Sequence, residues 1–318
     1  MTLDEATAAL LSQRAEAGTK PLHAMEPPEA RGFLASMRPE AAGLPPMHRV
    51  EDRRVRVSGG SIPVRVLVPE GGIAGVVVYY HGGGWVVGSI DDFELAGRRL
   101  AERSNCAVVL VDYRLAPEYR FPTAVDDSYA ALCWVDRNLQ DLLGRRMPIV
   151  VAGDSAGGNL AAVMALRARD EKGPVISMQV LIYPVTDCDF DTTSYRDPEN
   201  DLLLTREAMI WFWDHYAPDP AVRLHPEASP LRVANTANLP PAVVLTAEHD
   251  VLRAEGEVYA TRLMKSRVPV RHRRFEGQMH GFFTMVDVLP GSAAGIDFVA
   301  GAIREHLGGG GASSASGA

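Results

Sequence analysis

The sequence predicts an α/β fold built around a mostly parallel sheet, and three observations carry that expectation. Apolar runs of strand length alternate with helical segments: "GVVVYY", "CAVVLVDY", "PIVVAG", "MQVLIYP", "PAVVLTA" and "VPVRHRRF", with helices near 92–103, 123–139, 156–170 and 252–267. Ahead of them, "VRVS" and "IPVRVLVP" flank Gly59 and Gly60, the pattern of two strands joined by a tight turn, so the sheet begins antiparallel. At 318 residues and 47% hydrophobic content, the chain has enough apolar material to bury a full core.

Taken in order, the chain starts with a short amphipathic helix over 3–17, where Leu3, Ala6, Leu10 and Leu11 fall near helical spacing and Thr2 with Glu5 fits a capping box. Residues 21–46 are proline-rich, with a helix near 29–37, and read as a loosely ordered approach to the main domain. Between Val185 and Arg223 the strand–helix rhythm breaks into a polar loop and an aromatic helical segment, which reads as an insertion above the sheet. The final residues, 308–318, are Gly, Ser and Ala with almost nothing to bury and are expected to be disordered.

Composition excludes several function classes. A net charge of −8 and the lack of a Lys/Arg cluster argue against a nucleic-acid surface. No apolar run reaches the ~20 residues that span a bilayer, and "MTLDEATAAL" lacks the form of a secretory signal, so a soluble cytoplasmic protein without a transmembrane segment is expected. Cys106, Cys133 and Cys188 lack metal-ligand spacing and are odd in number, so three free thiols are expected, with no metal.

The chemistry is concentrated at "PIVVAGDSAGGNLAAVMALRA". Gly153, Ser155 and Gly157 form G-x-S-x-G where a strand turns into a helix, the nucleophile-elbow pattern: a sharp turn projects the serine hydroxyl, and the flanking glycines remove clashes around it. A serine that attacks an acyl group needs backbone N–H donors for the oxyanion of the tetrahedral intermediate. The loop "HGGGW" after an earlier strand supplies Gly83 and Gly84, with Gly82 as a third candidate, and Ala156 follows the nucleophile directly. The glycine spacing matches neither a dinucleotide fingerprint nor a phosphate-binding P-loop, and His81 reads as a structural hydrogen-bonder.

The serine also needs a base, and the base an orienting carboxylate. In this architecture both follow the serine, acid first, in loops at the ends of later strands, which selects Asp250 after "PAVVLTAEHD" and His280 after "VPVRHRRFEGQMH", with Glu248 as the alternative acid. His249, His272, His215 and His225 read as packing or surface residues.

Together, "HGGGW" at 81–85, "DYRLAPE" at 112–118, "GDSAGG" at 153–158, "YP" at 183–184, "HDVLRAEG" at 249–256 and "HGF" at 280–282 resemble the bacterial hormone-sensitive-lipase-like family of α/β-hydrolase carboxylesterases, over about residues 50–307. The resemblance implies an eight-stranded core flanked by helices, spanning 46–185 and 224–307, under a helical cap made from 1–45 and 186–223. It also implies a Ser155–Asp250–His280 triad and hydrolysis of short- to medium-chain esters without a cofactor. A homodimer is compatible with it. One departure is Val251, where the family more often has proline after the acid, together with Ala254 in place of another acid.

"DYRLAPE" has no evident catalytic chemistry and reads as a structural tie. Trp211, Phe212, Trp213 and Tyr216 cannot all face one way on a helix; Trp211 and Phe212, with Trp85 beside the oxyanion loop, are the candidates to line the substrate pocket. The motifs leave the leaving group open, so an amidase or lipase using the same triad remains an alternative, as does a non-catalytic ligand-binding protein on the same scaffold.

Overall fold

A computed structural model describes residues 2–38 and 43–308. Eight strands form one sheet in the order β1 (Arg49–Val57), β2 (Gly60–Val68), β4 (Cys106–Val111), β3 (Gly75–Tyr80), β5 (Ile149–Asp154), β6 (Ile176–Ile182), β7 (Ala242–His249) and β8 (Val270–Met279). The β1–β2 hairpin and the β2–β4 pair are antiparallel, and all later pairs are parallel. Every residue of β3, β4 and β5 is buried, because helices cover both faces of the sheet centre. By contrast, β8 lies at the edge and exposes most of its first half, where Arg271, Arg273 and Arg274 stand.

On one face lie α3 (Ile90–Ser104) and α10 (Pro290–Gly308), packed on each other over Val77, Tyr79, Val108 and Val180. On the other lie α4 (Thr123–Leu143), α5 (Ala156–Asp170) and α9 (Arg253–Lys265) over Val76, Val78, Val109 and Val151. Alternate residues of one strand thus feed opposite cores. The helix over 290–308 is not among those the sequence predicts. The stretch is glycine-interrupted, and Gly295 sits where a side chain would press on Phe282 and Phe283, so the helix gains its stability from close packing rather than intrinsic propensity.

The N-terminal helix exists as α1 (Glu5–Glu16), but its cap is Asp4, not Thr2. The Asp4 carboxylate accepts the Ala6 and Thr7 N–H groups at 3.1 and 3.2 Å. The proline-rich stretch holds α2 (Pro27–Ser36), which is tied down rather than loose: Arg31 donates to the Val86 and Ala116 carbonyls, each at 2.8 Å, and forks onto Glu118. The chain between β6 and β7 carries α6 (Thr193–Arg196), α7 (Arg206–Tyr216) and α8 (Pro220–Arg223), and α7 packs on residues 22–24. Strand structure resumes at Ala242. Apart from Gly308, which ends α10, the tail expected to be disordered lies outside the described residues. Among the described residues no helix is long and apolar enough to cross a membrane, and Cys106, Cys133 and Cys188 are free.

The "DYRLAPE" segment ties several elements together. Asp112 accepts the Ile90 N–H at 3.2 Å, the Tyr113 hydroxyl donates to the His81 carbonyl at 2.7 Å, and Arg114 forks onto the fully buried Asp127 of α4 at 2.8 and 2.7 Å. Removing the guanidinium leaves that carboxylate, which water does not reach, with the Arg114 N–H at 3.1 Å in place of three donors. Arg114→Ala is therefore expected to cost about 3–5 kcal/mol in urea unfolding monitored by circular dichroism, with Asp127→Asn in the same background recovering part of the loss.

Candidate active site

The site forms where β5 turns into α5. Ser155 occupies that turn with φ 56° and ψ −119°, a backbone conformation costly for a residue with a side chain and sustained here by its surroundings. Its N–H donates to the Ile182 carbonyl and its carbonyl accepts from Asn159 and Val185, so the neighbouring strand and the helix both clamp the turn. A Cβ on Gly153 would strike the Gly157 carbonyl, and one on Gly157 would strike that of Tyr80, which is why glycines flank the serine.

His280 follows the end of β8. Its Nδ1 lies 2.7 Å from Asp250 Oδ2 and its Nε2 lies 3.0 Å from Ser155 Oγ. A carboxylate only accepts, so Nδ1 carries the proton and donates, which leaves Nε2 to accept from the serine hydroxyl. Asp250, which follows β7, is buried and places Oδ1 on the Leu252 N–H at 2.8 Å. Neither Val251 nor Ala254, the departures from the family pattern, displaces that carboxylate; the Ala254 N–H is taken by Ser194 Oγ at 3.0 Å. Glu248, the alternative acid, is engaged elsewhere, accepting the Gly277 N–H at 2.7 Å at the end of β8.

The other histidines stand away from the serine. His272 faces Thr246 at 3.1 Å, His215 packs edge-on against Trp211, His225 accepts the Glu227 N–H, and the buried His249 lies near Glu248. His81 stacks between Phe93 and Tyr113, and its Nδ1 donates to the Gly82 carbonyl at 2.7 Å. Burial pulls its imidazole below the ordinary value, which fits a structural role.

Gly83 and Gly84, at φ 104° and 57°, follow β3 in the loop beside the elbow, and no acceptor among the described residues takes either N–H. Ala156 is the first residue of α5, where N–H groups have no intrahelical partner. Gly82 differs from the expectation: its N–H is already donated, at 3.0 Å, to the carboxylate of Asp154. Its amide is therefore spent on holding the loop and does not face an oxyanion.

Of the three pocket candidates, Phe212 is the one packed against Gly84. Its ring occupies the space a side chain on Gly84 would fill. Trp85 is completely buried, stacked on Tyr216 with ring centroids 4.1 Å apart and edge-on to Trp213 at 4.9 Å, so it supports the loop from behind rather than lining a cavity. Trp211 is half-buried between Phe212 and His215.

Matching against family models places residues 77–284, more than half of the chain, in a family described by its alpha/beta hydrolase fold. The chain belongs to that family, in its hormone-sensitive-lipase-like branch. Among similar proteins, the Mycobacterium tuberculosis carboxylesterase NlhH is 40% identical over 270 residues, covering 83% of this chain and 84% of the relative. The Pseudomonas putida ethyl acetate hydrolase is 35% identical over 319 residues, covering 96% of this chain and all of the relative. The solved structure of a hyperthermophilic esterase from Pyrobaculum calidifontis superposes with a TM-score of 0.88 at 40% identity, covering 96% and 99% of the two chains. The expected eight-stranded α/β-hydrolase fold and the expected carboxylic ester hydrolase class are both met.

Sequence reading of this hydrolase passed over three groups packed around the elbow. Tyr79 donates to Asp154 Oδ1 at 2.8 Å, Tyr113 holds the His81 carbonyl, and the buried Glu255 accepts the Thr186 and Asp187 N–H groups at 2.6 and 3.1 Å where the chain leaves the sheet after β6. Burial pushes the Glu255 carboxyl well above its ordinary value. Tyr79 lies in an apolar strand and Glu255 in a helix, so only the polar partner brought from a distant segment, an acceptor for Tyr79 and backbone donors for Glu255, reveals what each does.

Burial pushes the Asp154 carboxyl up to about 6, opposed by the Tyr79 hydroxyl, His280 and the Gly82 N–H, which favour the anion. Tyr113 and Tyr183 also face it and stay neutral, their own values raised by burial. The folded state thus keeps a proton on Asp154 that the unfolded chain, near the ordinary 3.8, has lost. The stability this contributes is complete below the unfolded value and is lost as the pH rises through the folded one. Asp154→Asn removes that dependence. Its melting temperature relative to the parent protein should be more favourable near pH ~8 than near pH ~4, with the swing bounded by about 3 kcal/mol, as read by calorimetry at the two pH values.

Proposed function

We propose that this chain hydrolyses carboxylic esters of short to medium acyl length through an acyl-enzyme on Ser155. The observation that carries the reading is the unbroken hydrogen-bonded chain from Asp250 through His280 to Ser155, set beside the uncommitted amides of Gly83 and Gly84. His280 Nε2 takes the hydroxyl proton as Ser155 Oγ attacks the ester carbonyl, and Asp250 stabilises the imidazolium at Nδ1. The Gly83, Gly84 and Ala156 N–H groups receive the oxyanion, each such donor contributing ~100-fold to 1000-fold in turnover. Collapse of the intermediate returns the proton from His280 to the departing alcohol, and water then enters by the same route to release the acid and free Ser155.

Residues 1–45 and 186–223 act in this reading as the cap over the core at 46–185 and 224–307. Arg31 fastens the first segment to the Val86 carbonyl beside the oxyanion loop, and α7 of the second sets Phe212 over Gly84, which supports that division. A bulky ring this near the oxyanion donors limits the acyl group, and a relative named for ethyl acetate hydrolysis points the same way.

Hydrolysis of p-nitrophenyl esters from acetate to palmitate tests the reading. Turnover should peak at short chains, and Ser155→Ala should lower it by at least ~10⁴-fold while the protein stays folded. Activity surviving in that variant would assign the chemistry to another group. Phe212→Ala should move the optimum towards longer acyl chains, raising the hexanoate-to-acetate ratio of kcat/KM several-fold, on the order of what a few methylenes contribute in an apolar pocket. An unchanged ratio would remove Phe212 from the acyl wall.

A further inference from the structure

We propose that Asp154 is a positioning residue for the reaction: through the Gly82 N–H, its carboxylate locks the oxyanion loop to the nucleophile turn. The inference rests on the reading of Ser155 as nucleophile and Gly83, Gly84 and Ala156 as oxyanion donors.

Two segments remote in sequence must be held in fixed relation for that chemistry, the loop after β3 and the turn after β5. The strands are hydrogen-bonded neighbours only as far as Tyr80 and Gly153, where their pairing ends. Beyond that point the chain carrying Gly83 and Gly84 and the chain carrying Ser155 diverge into loop and helix. Beside the close packing of Gly157 on the Tyr80 and His81 carbonyls, they are reconnected by a hydrogen bond from the Gly82 N–H to Asp154 Oδ1, at 3.0 Å. Asp154 is bonded directly to Ser155, and Gly82 directly to Gly83, so one hydrogen bond joins the residue before the nucleophile to the residue before the donors.

The rest of the surroundings make that bond rigid. Oδ1 also receives the Tyr79 hydroxyl at 2.8 Å, which fixes the carboxylate's rotation. The His81 carbonyl, on the same peptide unit as the Gly82 N–H, is held by the Tyr113 hydroxyl at 2.7 Å, and the Gly82 carbonyl by His81 Nδ1 at 2.7 Å. A side chain on Gly82 would collide with Asp154 Oδ2, so the carboxylate lies flat against the loop backbone. The whole assembly is closed to water, Asp154 being 4% exposed and Tyr79 1%. In such a place an acceptor that is removed is not replaced by solvent, and the Gly82 N–H loses its only partner.

A bond made alike in the resting enzyme and in the substrate complex leaves ester binding alone, and its loss is felt where the oxyanion donors must be in place. Asp154→Ala is expected to lower kcat for a p-nitrophenyl ester by ~10-fold to 100-fold with KM changed less than ~3-fold. The affinity for an aryl trifluoromethyl ketone, whose hemiketal oxyanion sits on the same donors, should fall in proportion to kcat/KM. Asp154→Asn keeps an oxygen at Oδ1 and should restore most of both losses. Tyr79→Phe, which leaves the acceptor but frees its rotation, should lose ~3-fold to 10-fold in kcat, and it carries the test if Asp154→Ala does not fold.

Active-site titration with an organophosphonate accompanies each variant. Full stoichiometric labelling lost only in Ser155→Ala establishes the nucleophile independently of Asp154, so failure of the underlying reading and failure of this proposal give different results. The proposal is overturned if folded Asp154→Ala, or Tyr79→Phe in its place, keeps parental kcat and ketone affinity. It is equally overturned if the loss falls on KM with ketone affinity intact, or if Asp154→Asn is as impaired as Asp154→Ala.

Discussion

A serine held at φ 56° between a strand and a helix is the constraint on which the rest of this structure depends. That backbone is unfavourable for any residue with a Cβ, so it persists only where every neighbour enforces it. Here the Ile182 carbonyl, the first turn of α5 and two glycines that let backbones meet at van der Waals distance do so. The sheet serves the turn as much as it serves stability. β5 lies between β3, which delivers the oxyanion loop, and β6, whose carbonyl clamps the serine; β7 and β8 end in the loops that bring Asp250 and His280 to the same edge. Ligands meet open α/β sheets at the carboxyl ends of their strands for this reason: strands of one direction deliver all their C-terminal loops to one side.

Buried charge marks the places where this arrangement is under stress. Asp127, Asp154, Asp250 and Glu255 are all removed from water, and each is met by donors brought from another part of the chain. Asp154 precedes Ser155 in the chain, and Asp250 is hydrogen-bonded to His280. Glu255 ties the strand of chain leaving β6 to α9, and Asp127 anchors the segment whose tyrosine supports the oxyanion loop. An apolar core of similar volume would be cheaper to form, but it would not fix the relative positions of loops that share no strand pairing. The aromatic cluster of Trp85, Trp213 and Tyr216 does the complementary work without directionality, pressing α7 onto the oxyanion loop so that Phe212 reaches Gly84.

By itself the sequence determined the layered α/β architecture, the antiparallel start and the candidate residues at the strand ends. Those are consequences of local pattern: apolar runs of strand length, helical periodicity between them, and glycines around Ser155 and after His81, each visible within a window of a few residues. Tertiary structure alone decided what depends on partners distant in the chain. Asp4 rather than Thr2 caps α1, since both residues suit a cap and only docking against Gly277 selects one. The Gly82 N–H is committed although the residue is chemically identical to Gly83 and Gly84, because Asp154, 72 residues later, claims it. The glycine-rich segment at 290–308 becomes a helix because α3 and Phe282 give it a surface to pack on. A hydrogen bond or a packing face between remote segments leaves no trace in local periodicity, so the sequence named residues that the structure brings together at the candidate site, while the way they are held was set by contacts that exist only once the chain has folded.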